Sequence, residues 1–363
     1  MKKTPLRNKL FTNLFVLPIV LSFIGVIFIF EASSVRSFSE FGDSFHYLKA
    51  QLVWVLLGIS AMFVFALFDY HNLYYLAFFF MLGTILLLIV VLIPGIGHKV
   101  GGARRWVDLG FFNIQPTELA KFSVIIYLSS WFIHRERRRF FSFLVLMGVL
   151  MILIILQPDM GTGLIVFLLS IAIYYLAGID LIYLFFLIPI SAMGFYLLIK
   201  IAPYRLNRLM AFFDPSRDPL GITYHINQIM ISLTNGGFFG RGLGASRQKY
   251  LFLPEAHTDS IFAIIAEEFG FIGGIVLIFI FILIGYSMYW VAVNAKDRYG
   301  KLLAGGIFVF FNLQSIINLS AMVNLIPLTG VPLPFLSYGG SNLLVSFSLI
   351  GILVSIAKKI KKT

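Results

Sequence analysis

The chain alternates between long apolar runs and short polar segments, a spacing that predicts membrane-crossing helices. Windows of about 19 residues, the length of a helix that crosses a bilayer core, give ten candidate spans. These spans cover residues 11–30, 48–68, 73–93, 117–133, 141–157, 161–178, 181–200, 260–290, 302–325 and 336–357. A transmembrane β-barrel does not fit, because its strands would alternate apolar and polar residues. We predict an all-α polytopic membrane protein of about ten transmembrane helices, with residues 1–363 as a single transmembrane domain.

Composition supports a location in the bilayer. Of the 363 residues, 60% are hydrophobic and 12% are charged, and 40 of them are Phe. Soluble domains carry roughly 25% charged residues. The chain has no Cys, which excludes thiol catalysis, structural disulfides and thiolate metal sites.

Basic residues indicate which side of the membrane the termini occupy. An even number of spans places both termini on one side, and the Lys and Arg residues near the termini and after the fourth and eighth spans fall on that side. They are Lys2, Lys3, Arg7, Lys9, Arg135, Arg137, Arg138, Arg139, Lys296, Arg298, Lys301, Lys358, Lys359, Lys361 and Lys362. We expect this side to be cytoplasmic, since basic residues favour the cytoplasmic face. The opposite face then receives a large extracytoplasmic loop between helices 7 and 8, at about 201–259.

Acidic residues gather where this loop enters the eighth span, in LPEAHTDSIFAIIAEEFG. Glu255, His257 and Asp259 precede the span, and Glu267 and Glu268 follow roughly 12 Å further along a helix, inside the apolar layer. Ionisable groups at that depth are expensive and usually functional. Asp259 also suits a helix N-cap, but capping does not explain the other acids. We predict that Asp259 is a carboxylate at the membrane mouth whose pKa is raised toward that of a general base.

The rest of the large loop is predicted to be ordered. Helix-spaced apolar residues indicate an interfacial helix near 221–234, and a glycine-rich turn follows at 236–244. A nucleotide-binding loop is disfavoured, because neither the terminal Lys-Ser/Thr nor a preceding strand is present. Two interpretations stay open: the glycines admit an anionic headgroup close to the backbone, or they form a tight turn flanked by solvated basic residues.

Three further segments bring polar residues to the same outer face. GGARRWVDLGFFNIQPTELAK contains Arg104, which is either an interfacial snorkelling residue or a site residue. Glu118 and Lys121 follow with i,i+3 spacing, which puts an ion pair on one helix face, and this pairing favours a structural role over a role in the site. QPDMGTG places Asp159 at the end of the fifth span, as a turn residue or a site residue. NLIPLTGVPLPFLSYGGSNLL, with Ser341, breaks the apolar pattern with three prolines and three glycines between the last two spans, and non-helical backbone there must line a cavity or be buried in protein. We predict an outward-facing polar cavity whose bases hold an anion.

These motifs carry a family resemblance over nearly the whole chain. GARRW, QPTELAK, QPDMGTG, NGGFFGRGLGASRQKYLFLPEAHTDSIFAIIAEE and PLPFLSYGGSN resemble, in order, the signatures of the SEDS family (shape, elongation, division and sporulation proteins). GLGASRQK, LPEAHTD and AIIAEE are closer to the cell-division branch, whereas PLTGVPLPF is closer to the elongation branch. Ser260 stands where the family usually has Phe, a departure that affects packing more than chemistry.

The resemblance implies a multi-pass peptidoglycan glycosyltransferase of the bacterial cytoplasmic membrane that polymerises lipid II. It implies as ligands lipid II and undecaprenyl-pyrophosphate-linked glycan, and as partners a class B penicillin-binding protein transpeptidase and other division or elongation proteins; no nucleic acid is expected. The essential Asp of the family maps onto Asp259. Substrate- or pyrophosphate-binding positions carried over by motif are Arg104, Lys249, Glu118, Lys121, Asp159 and Ser341, and supporting positions are Glu255, His257, Glu267 and Glu268.

On this hypothesis Asp259 deprotonates the 4-hydroxyl of the acceptor sugar, which attacks the anomeric carbon of the donor with inversion. Arg104 and Lys249 would stabilise the departing pyrophosphate, and a divalent cation, Mg or Mn, is left open as a cofactor. The alternative is a lipid II flippase, which needs polar groups reachable from both sides of the membrane. A structural scaffold would leave Glu267 and Glu268 without a purpose.

Overall fold

The computed structural model describes residues 5–100, 103–108, 110, 113–134, 139–178, 203–214, 216 and 218–360, and single positions at 185, 189, 193, 194, 196 and 200. Eleven helices and three strands lie in this part of the chain. In chain order they are α1 (Pro5–Phe41), α2 (His46–Leu67), α3 (Asn72–Val90), β1 (Gly97–Val100), β2 (Ala103–Asp108), β3 (Asn113–Ile114), α4 (Pro116–Trp131), α5 (Phe140–Leu156), α6 (Met160–Leu176), α7 (Pro203–Phe213), α8 (Tyr224–Gly236), α9 (Ile261–Asn294), α10 (Arg298–Met322) and α11 (Gly340–Lys359).

Helices long and apolar enough to cross a membrane dominate this architecture. Among the described residues six qualify, namely α1, α2, α3, α9, α10 and α11, and α5 and α6 are shorter apolar helices. The fold is therefore mainly helical and multi-pass, as predicted. The predicted seventh span, 181–200, lies outside the described residues apart from single positions. The count of ten spans stays a prediction.

Two helices are longer than their apolar runs predict. α1 continues from the predicted end at residue 30 to Phe41, although Glu31, Arg36 and Glu40 interrupt the hydropathy signal. An ion pair between Arg36 and Glu40, one turn apart at 2.8 Å, supports this polar extension. α9 spans 34 residues and contains one non-helical position, Gly270, with φ 68° and ψ −164°.

The centre of the bundle is α11, whose residues are almost all buried and which packs along α2. Small residues allow the two helices to approach closely. A Cβ added at Gly351 would lie 2.4 Å from the carbonyl oxygen of Met62, and one at Gly58 would lie 2.5 Å from the ring of Phe347. This is the usual basis of tight helix packing in membranes.

A small antiparallel sheet departs from the all-α expectation. Its order is β1-β2-β3, with Gly97 opposite Val107 and Val107 opposite Ile114, in a segment predicted only as an external loop. Hydropathy windows respond to runs of about 19 residues and pass over strands of two to six residues. The sheet leads directly into α4.

The glycine-rich segment packs against the kink in α9. Arg241 N donates to the carbonyl of Glu267 at 3.1 Å, and Phe271 N donates to the carbonyl of Gly237 at 2.9 Å. A Cβ at Gly240 would lie 2.1 Å from the carbonyl oxygen of Glu268. The close approach at Gly240 thus permits backbone-to-backbone contact, as in a tight turn, while Gly237 and Gly242 have nothing within 4 Å of an added Cβ, so the admission of an anionic headgroup there stays a prediction. The helix predicted at 221–234 is confirmed as α8.

Candidate functional site

Asp259 is buried at the end of the loop that leads into α9. Its side chain is 9% exposed, and Oδ1 accepts a hydrogen bond from Thr258 Oγ1 at 3.1 Å. The N-cap position of α9 belongs to Ser260, so the expectation that Asp259 caps this helix is wrong. The carboxylate is therefore not engaged in holding the helix terminus.

Burial raises the pKa of this carboxyl group toward neutral pH. Desolvation, with a smaller contribution from the nearby carboxylate of Glu255, raises the pKa of Asp259 from 3.8 to about 6. The guanidinium of Arg208, on α7, acts in the opposite direction. A carboxylate with such a pKa is ionised at pH 7 and is a stronger base than a solvated one. The structure therefore supports the raised pKa predicted from the sequence.

Two neighbouring segments fix the position of Asp259. Asn318 Nδ2, on α10, donates to the backbone carbonyl of Asp259 at 2.9 Å and to that of Val331 at 2.8 Å. A Cβ at Gly330 would lie 3.8 Å from Asp259 Oδ2, so the carboxylate faces the proline-rich loop. Much of that loop is buried in protein, including Val331 and Leu333, as predicted for non-helical backbone between two membrane spans.

Glu255 and His257 flank Asp259 but differ from each other in environment. The side chain of Glu255 is 52% exposed, lies 3.8 Å from Arg36, and accepts a hydrogen bond from Thr258 Oγ1 at 3.0 Å. The His257 ring is buried between Tyr47 and Tyr338, with ring centroids 4.7 and 5.5 Å away. Burial lowers the pKa of His257 to about 4, so this imidazole is neutral at pH 7.

Sequence reasoning missed His225, which approaches the site from α8. One of its ring nitrogens lies 2.8 Å from Ser260 Oγ, and burial lowers its pKa to about 4. Ser260 stands where the resemblance to the SEDS family implies Phe. The serine hydroxyl supplies a hydrogen-bond partner that a phenyl ring lacks, so the departure ties α8 to the start of α9.

Glu118 and Lys121 form a buried ion pair, as their spacing predicted. Lys121 Nζ lies 2.6 Å from Glu118 Oε2, with side chains 0% and 3% exposed. Lys121 also donates to Gln314 Oε1 at 3.0 Å, and Asn342 Nδ2 donates to Glu118 Oε2 at 2.9 Å. Gln314 in turn donates to the carbonyl of Pro332 at 2.9 Å. This polar network joins α4, α10 and α11 to the proline-rich loop.

Asp159 organises a second buried cluster at the start of α6. Its Oδ1 accepts from Thr162 N at 3.2 Å, which makes Asp159 the N-cap of α6. Its Oδ2 accepts from Gln115 Nε2 at 3.1 Å and from Thr117 Oγ1 at 3.0 Å. Ser341 Oγ accepts from the backbone N–H of Gln115 at 3.0 Å. The contacts of Asp159 and Ser341 are therefore those of residues that connect helices.

Arg104 and Lys249 lie in separate surroundings. Arg104 is half-buried on β2, next to Arg105, whose guanidinium donates to the carbonyls of Gln157 and Pro158. Lys249 Nζ donates to the carbonyl of Gly244 at 2.6 Å and lies 3.7 Å from Glu268 Oε1. Within the described part of the chain, neither cation forms an ion pair with Asp259. Arg208 is the cation whose charge acts on that carboxylate.

Glu267 and Glu268 serve as anchors for the loop that precedes Asp259. Glu267 accepts hydrogen bonds from Ser246 Oγ and, at 3.4 Å, from Arg247 N. Glu268 Oε1 accepts from Ser246 N at 3.3 Å. The pair therefore has a structural purpose, which removes the argument that a scaffold would leave it without one.

The polar residues that sequence reasoning missed, apart from Arg208 and His225, sit mostly inside apolar helices. Gln314 and Asn318 are four residues apart on α10, and this i,i+4 spacing in an apolar helix was a usable signal for a polar face. Gln115 and Thr117 flank Pro116 without a comparable pattern. Among the described residues, no group of three His, Cys, Asp or Glu side chains could hold a metal ion.

The fold and the site together define a polytopic membrane protein. Its site has a buried carboxyl group, at the start of a transmembrane helix, whose pKa is close to neutral pH. The family model described as "Cell cycle protein", which groups FtsW, RodA and SpoVE, matches residues 11–362. The chain belongs to this family, as the motifs predicted.

Relatives of similar length have names that refer to cell-wall synthesis and sporulation. The chain is 37% identical to the probable peptidoglycan glycosyltransferase FtsW of Geobacter sp. (strain M18), over 94% of this chain and 95% of the relative. It is 37% identical to stage V sporulation protein E of Bacillus subtilis (strain 168), over 95% of this chain and 96% of the relative.

Solved structures share the fold. A chain of a peptidoglycan synthase complex that coordinates polymerization and crosslinking is similar with a TM-score of 0.76 and 25% identity, over 95% of this chain and 96% of that one. The rod shape determining protein RodA of Thermus thermophilus is similar with a TM-score of 0.70 and 23% identity, over 96% of each chain.

Proposed function

We propose that this protein is a peptidoglycan glycosyltransferase that polymerises lipid II into glycan strands, in bacterial cell division or elongation, with Asp259 as the general base. The observation that carries this proposal is the buried carboxylate of Asp259, whose pKa of about 6 suits proton abstraction from a sugar hydroxyl. The names of relatives such as the FtsW protein of Geobacter supply the reaction class.

In the proposed reaction the ionised Asp259 takes the proton of the acceptor 4-hydroxyl, and the oxygen attacks the anomeric carbon of the donor with inversion. One base and a stabilised leaving group are sufficient for inversion. Asn318 and the loop around Gly330 hold the base in place. Arg208, on α7, whose charge acts on Asp259, is one candidate for charge stabilisation of the leaving pyrophosphate, and Arg104 is retained as a second.

Lys249 is not retained as a pyrophosphate-binding residue. Its ammonium group contacts the carbonyl of Gly244 and lies near Glu268. The residue lines a cavity whose lining does not include Asp259. No residue is assigned to a divalent cation, since the described residues contain no group of three His, Cys, Asp or Glu side chains that could hold one by themselves. Addition of Mg²⁺, Mn²⁺ or EDTA to the polymerisation assay measures the requirement directly.

The proposal extends to location and partners. We propose a multi-pass protein of the bacterial cytoplasmic membrane with both termini in the cytoplasm, since the basic residues favour that side. We also propose a crosslinking partner, a class B penicillin-binding protein transpeptidase. The support is the similarity to a chain of a complex that coordinates polymerization and crosslinking.

Reconstitution tests the function. The purified protein, with and without the transpeptidase, is placed in liposomes with labelled lipid II, and glycan ladders are resolved on gels. We expect ladders from the wild type and none from Asp259→Asn, which stays folded and membrane-inserted. The matched control is Asp43→Asn, an exposed aspartate whose carboxylate pairs with Lys49 at the surface. Transbilayer movement of lipid II without ladders would instead support a flippase, and neither activity would support a scaffold.

A further inference from the structure

A cavity of about 260 Å³ lies beside the segment that carries Asp259 but is not lined by it. One wall is the outer extension of α1, with Arg36, Ser39 and Glu40. The other wall is the loop from Lys249 to His257. The proposed mechanism uses none of these residues.

The cavity presents hydrogen-bond donors whose partners are missing among the described residues. Arg36 has five N–H donors, and only Nε is hydrogen-bonded, to Glu40 Oε1 at 2.8 Å. Its Nη1 lies 3.8 Å from Glu255, too far for a hydrogen bond. Lys249 uses one of its three donors, on the carbonyl of Gly244. The guanidinium therefore keeps the paired terminal N–H groups that bind a carboxylate through two parallel hydrogen bonds.

The acceptors of the cavity are already occupied. Both carboxylate oxygens of Glu40 accept hydrogen bonds at 2.8 Å, one from Arg36 and one from Tyr47. His257 is neutral at pH 7, because burial lowers its pKa to about 4. The lining thus carries two cations, Arg36 and Lys249, against one carboxylate. Outside the lining, Glu255 lies 3.8 Å from Arg36 and Glu268 lies 3.7 Å from Lys249. The feature that favours an anionic ligand is therefore the pair of terminal Arg36 nitrogens without a hydrogen bond among the described residues, and not the net charge.

The remaining walls are apolar, formed by Ala32, Leu251, Leu253, Pro254 and Ala256. A ligand that matches this lining combines an oxyanion with small aliphatic groups. Inorganic phosphate lacks the aliphatic part, whereas a polyprenyl pyrophosphate has one and is separated from a peptide carboxylate by the amidated probe below. A short peptide that ends in a free carboxylate has both, and peptidoglycan units carry a peptide on the sugar.

We propose that the cavity between Arg36 and Lys249 binds the carboxylate end of the peptide branch of the substrate, and so selects peptide-bearing units for polymerisation. This proposal rests on the proposed function and adds a specificity site to it. Arg36 holds the carboxylate with its two terminal nitrogens, Lys249 adds a point charge, and Leu251 and Leu253 contact the aliphatic side chains.

The test compares three probes on the full chain in nanodiscs: lipid-linked disaccharide with a peptide ending in a free carboxylate, the same compound with that carboxylate amidated, and the compound without a peptide. Binding is measured by filter retention and polymerisation by ladder formation. We expect the free carboxylate to bind about tenfold more tightly than the other two, a factor typical of a charge-assisted hydrogen bond. Arg36→Gln should remove this preference by raising KM for the free carboxylate alone, with kcat unchanged.

Two controls keep the result interpretable. Arg36→Lys retains charge and α1 packing but loses the paired geometry, so it should recover only part of the preference. Lys49→Gln removes an exposed cation at the same end of the bundle and should change nothing. Equal binding of the three probes to the wild type overturns the proposal, as does an equal loss for all three in Arg36→Gln, which would indicate pyrophosphate binding or a structural role. The binding measurement does not require polymerisation. If the wild type forms no ladders but still prefers the free carboxylate, the proposed function is refuted and the proposed peptide site is not.

Discussion

Asn318 donates a hydrogen bond to the backbone carbonyl of Asp259 at 2.9 Å, and the same amide nitrogen donates to Val331 at 2.8 Å. One side chain on α10 thus holds both segments that border the carboxylate of Asp259. Asn318→Ala leaves two buried carbonyls without their donor, at a cost of about 1–3 kcal/mol in the free energy of unfolding. It should also lower kcat and move the pH of half-maximal rate, because the base is displaced.

The matched control for this variant is Asn312→Ala, on the same helix. The amide of Asn312 donates to the carbonyl of Phe308 within its own helix turn, so its removal leaves the Asp259 segment in place. Thermal unfolding in detergent and glycan polymerisation measure both effects. Equal loss of activity in the two variants would show that Asn318 is not a positioning residue.

Removal of the proposed catalytic base should stabilise the fold at alkaline pH. Because burial raises the pKa of Asp259 from 3.8 to about 6, the folded protein binds this proton more tightly than the unfolded chain. The stability from this group is fully present below pH 3.8 and is lost as the pH rises through about 6, a loss of about 3 kcal/mol. Asp259→Asn should therefore raise the Tm at pH 8 and leave it nearly unchanged at pH 4. A lower Tm for the variant at pH 8 would contradict this assignment.

The rate of polymerisation should depend on the ionisation of the same group. kcat/KM is expected to rise about tenfold per pH unit below pH 6 and to level off above it, since only the ionised carboxylate accepts a proton. His225 and His257 do not obscure this range, because burial lowers the pKa of each to about 4. A profile from pH 5 to 8 in liposomes checks this, and a flat profile would exclude Asp259 as the base.

Hydropathy predicted the membrane helices because each is a long local run, but it could not predict contacts between distant segments. The ion pair of Glu118 and Lys121 follows from i,i+3 spacing, and the structure contains it. The packing of Gly240 on Glu268 needs the kink of α9, which no local pattern specifies. The same holds for Lys249. The sequence shows a basic residue near several acidic ones, but only the fold shows that its ammonium lies beside Glu268.

For the buried ion pair we predict that removal of one charge destabilises the protein more than removal of both. Lys121→Met leaves the carboxylate of Glu118 buried without its cation, which should cost about 3–5 kcal/mol. The double variant Glu118→Gln, Lys121→Met removes both charges and should recover most of that loss, because no unpaired charge remains. Urea unfolding in detergent micelles measures the three proteins. Lys49→Met breaks an exposed pair with Asp43 and should have little effect. A double variant as unstable as Lys121→Met would contradict the explanation.

Gly161 and Gly163 lie two residues apart near the start of α6, and substitution of each by Ala should have opposite effects on stability. A Cβ at Gly161 would lie 2.4 Å from the carbonyl oxygen of Thr329 and 2.9 Å from Val331, whereas one at Gly163 would make ordinary contacts at 3.5 and 3.6 Å. Gly161→Ala should therefore cost about 1–3 kcal/mol, since backbone must move, and Gly163→Ala should gain up to about 1 kcal/mol of helix propensity. The displaced segment also carries Gly330, which faces Asp259, so Gly161→Ala should lose polymerisation as well as stability. Equal Tm values for the two alanine variants would show that residues 329–331 yield without cost, and that α6 does not help to position the base.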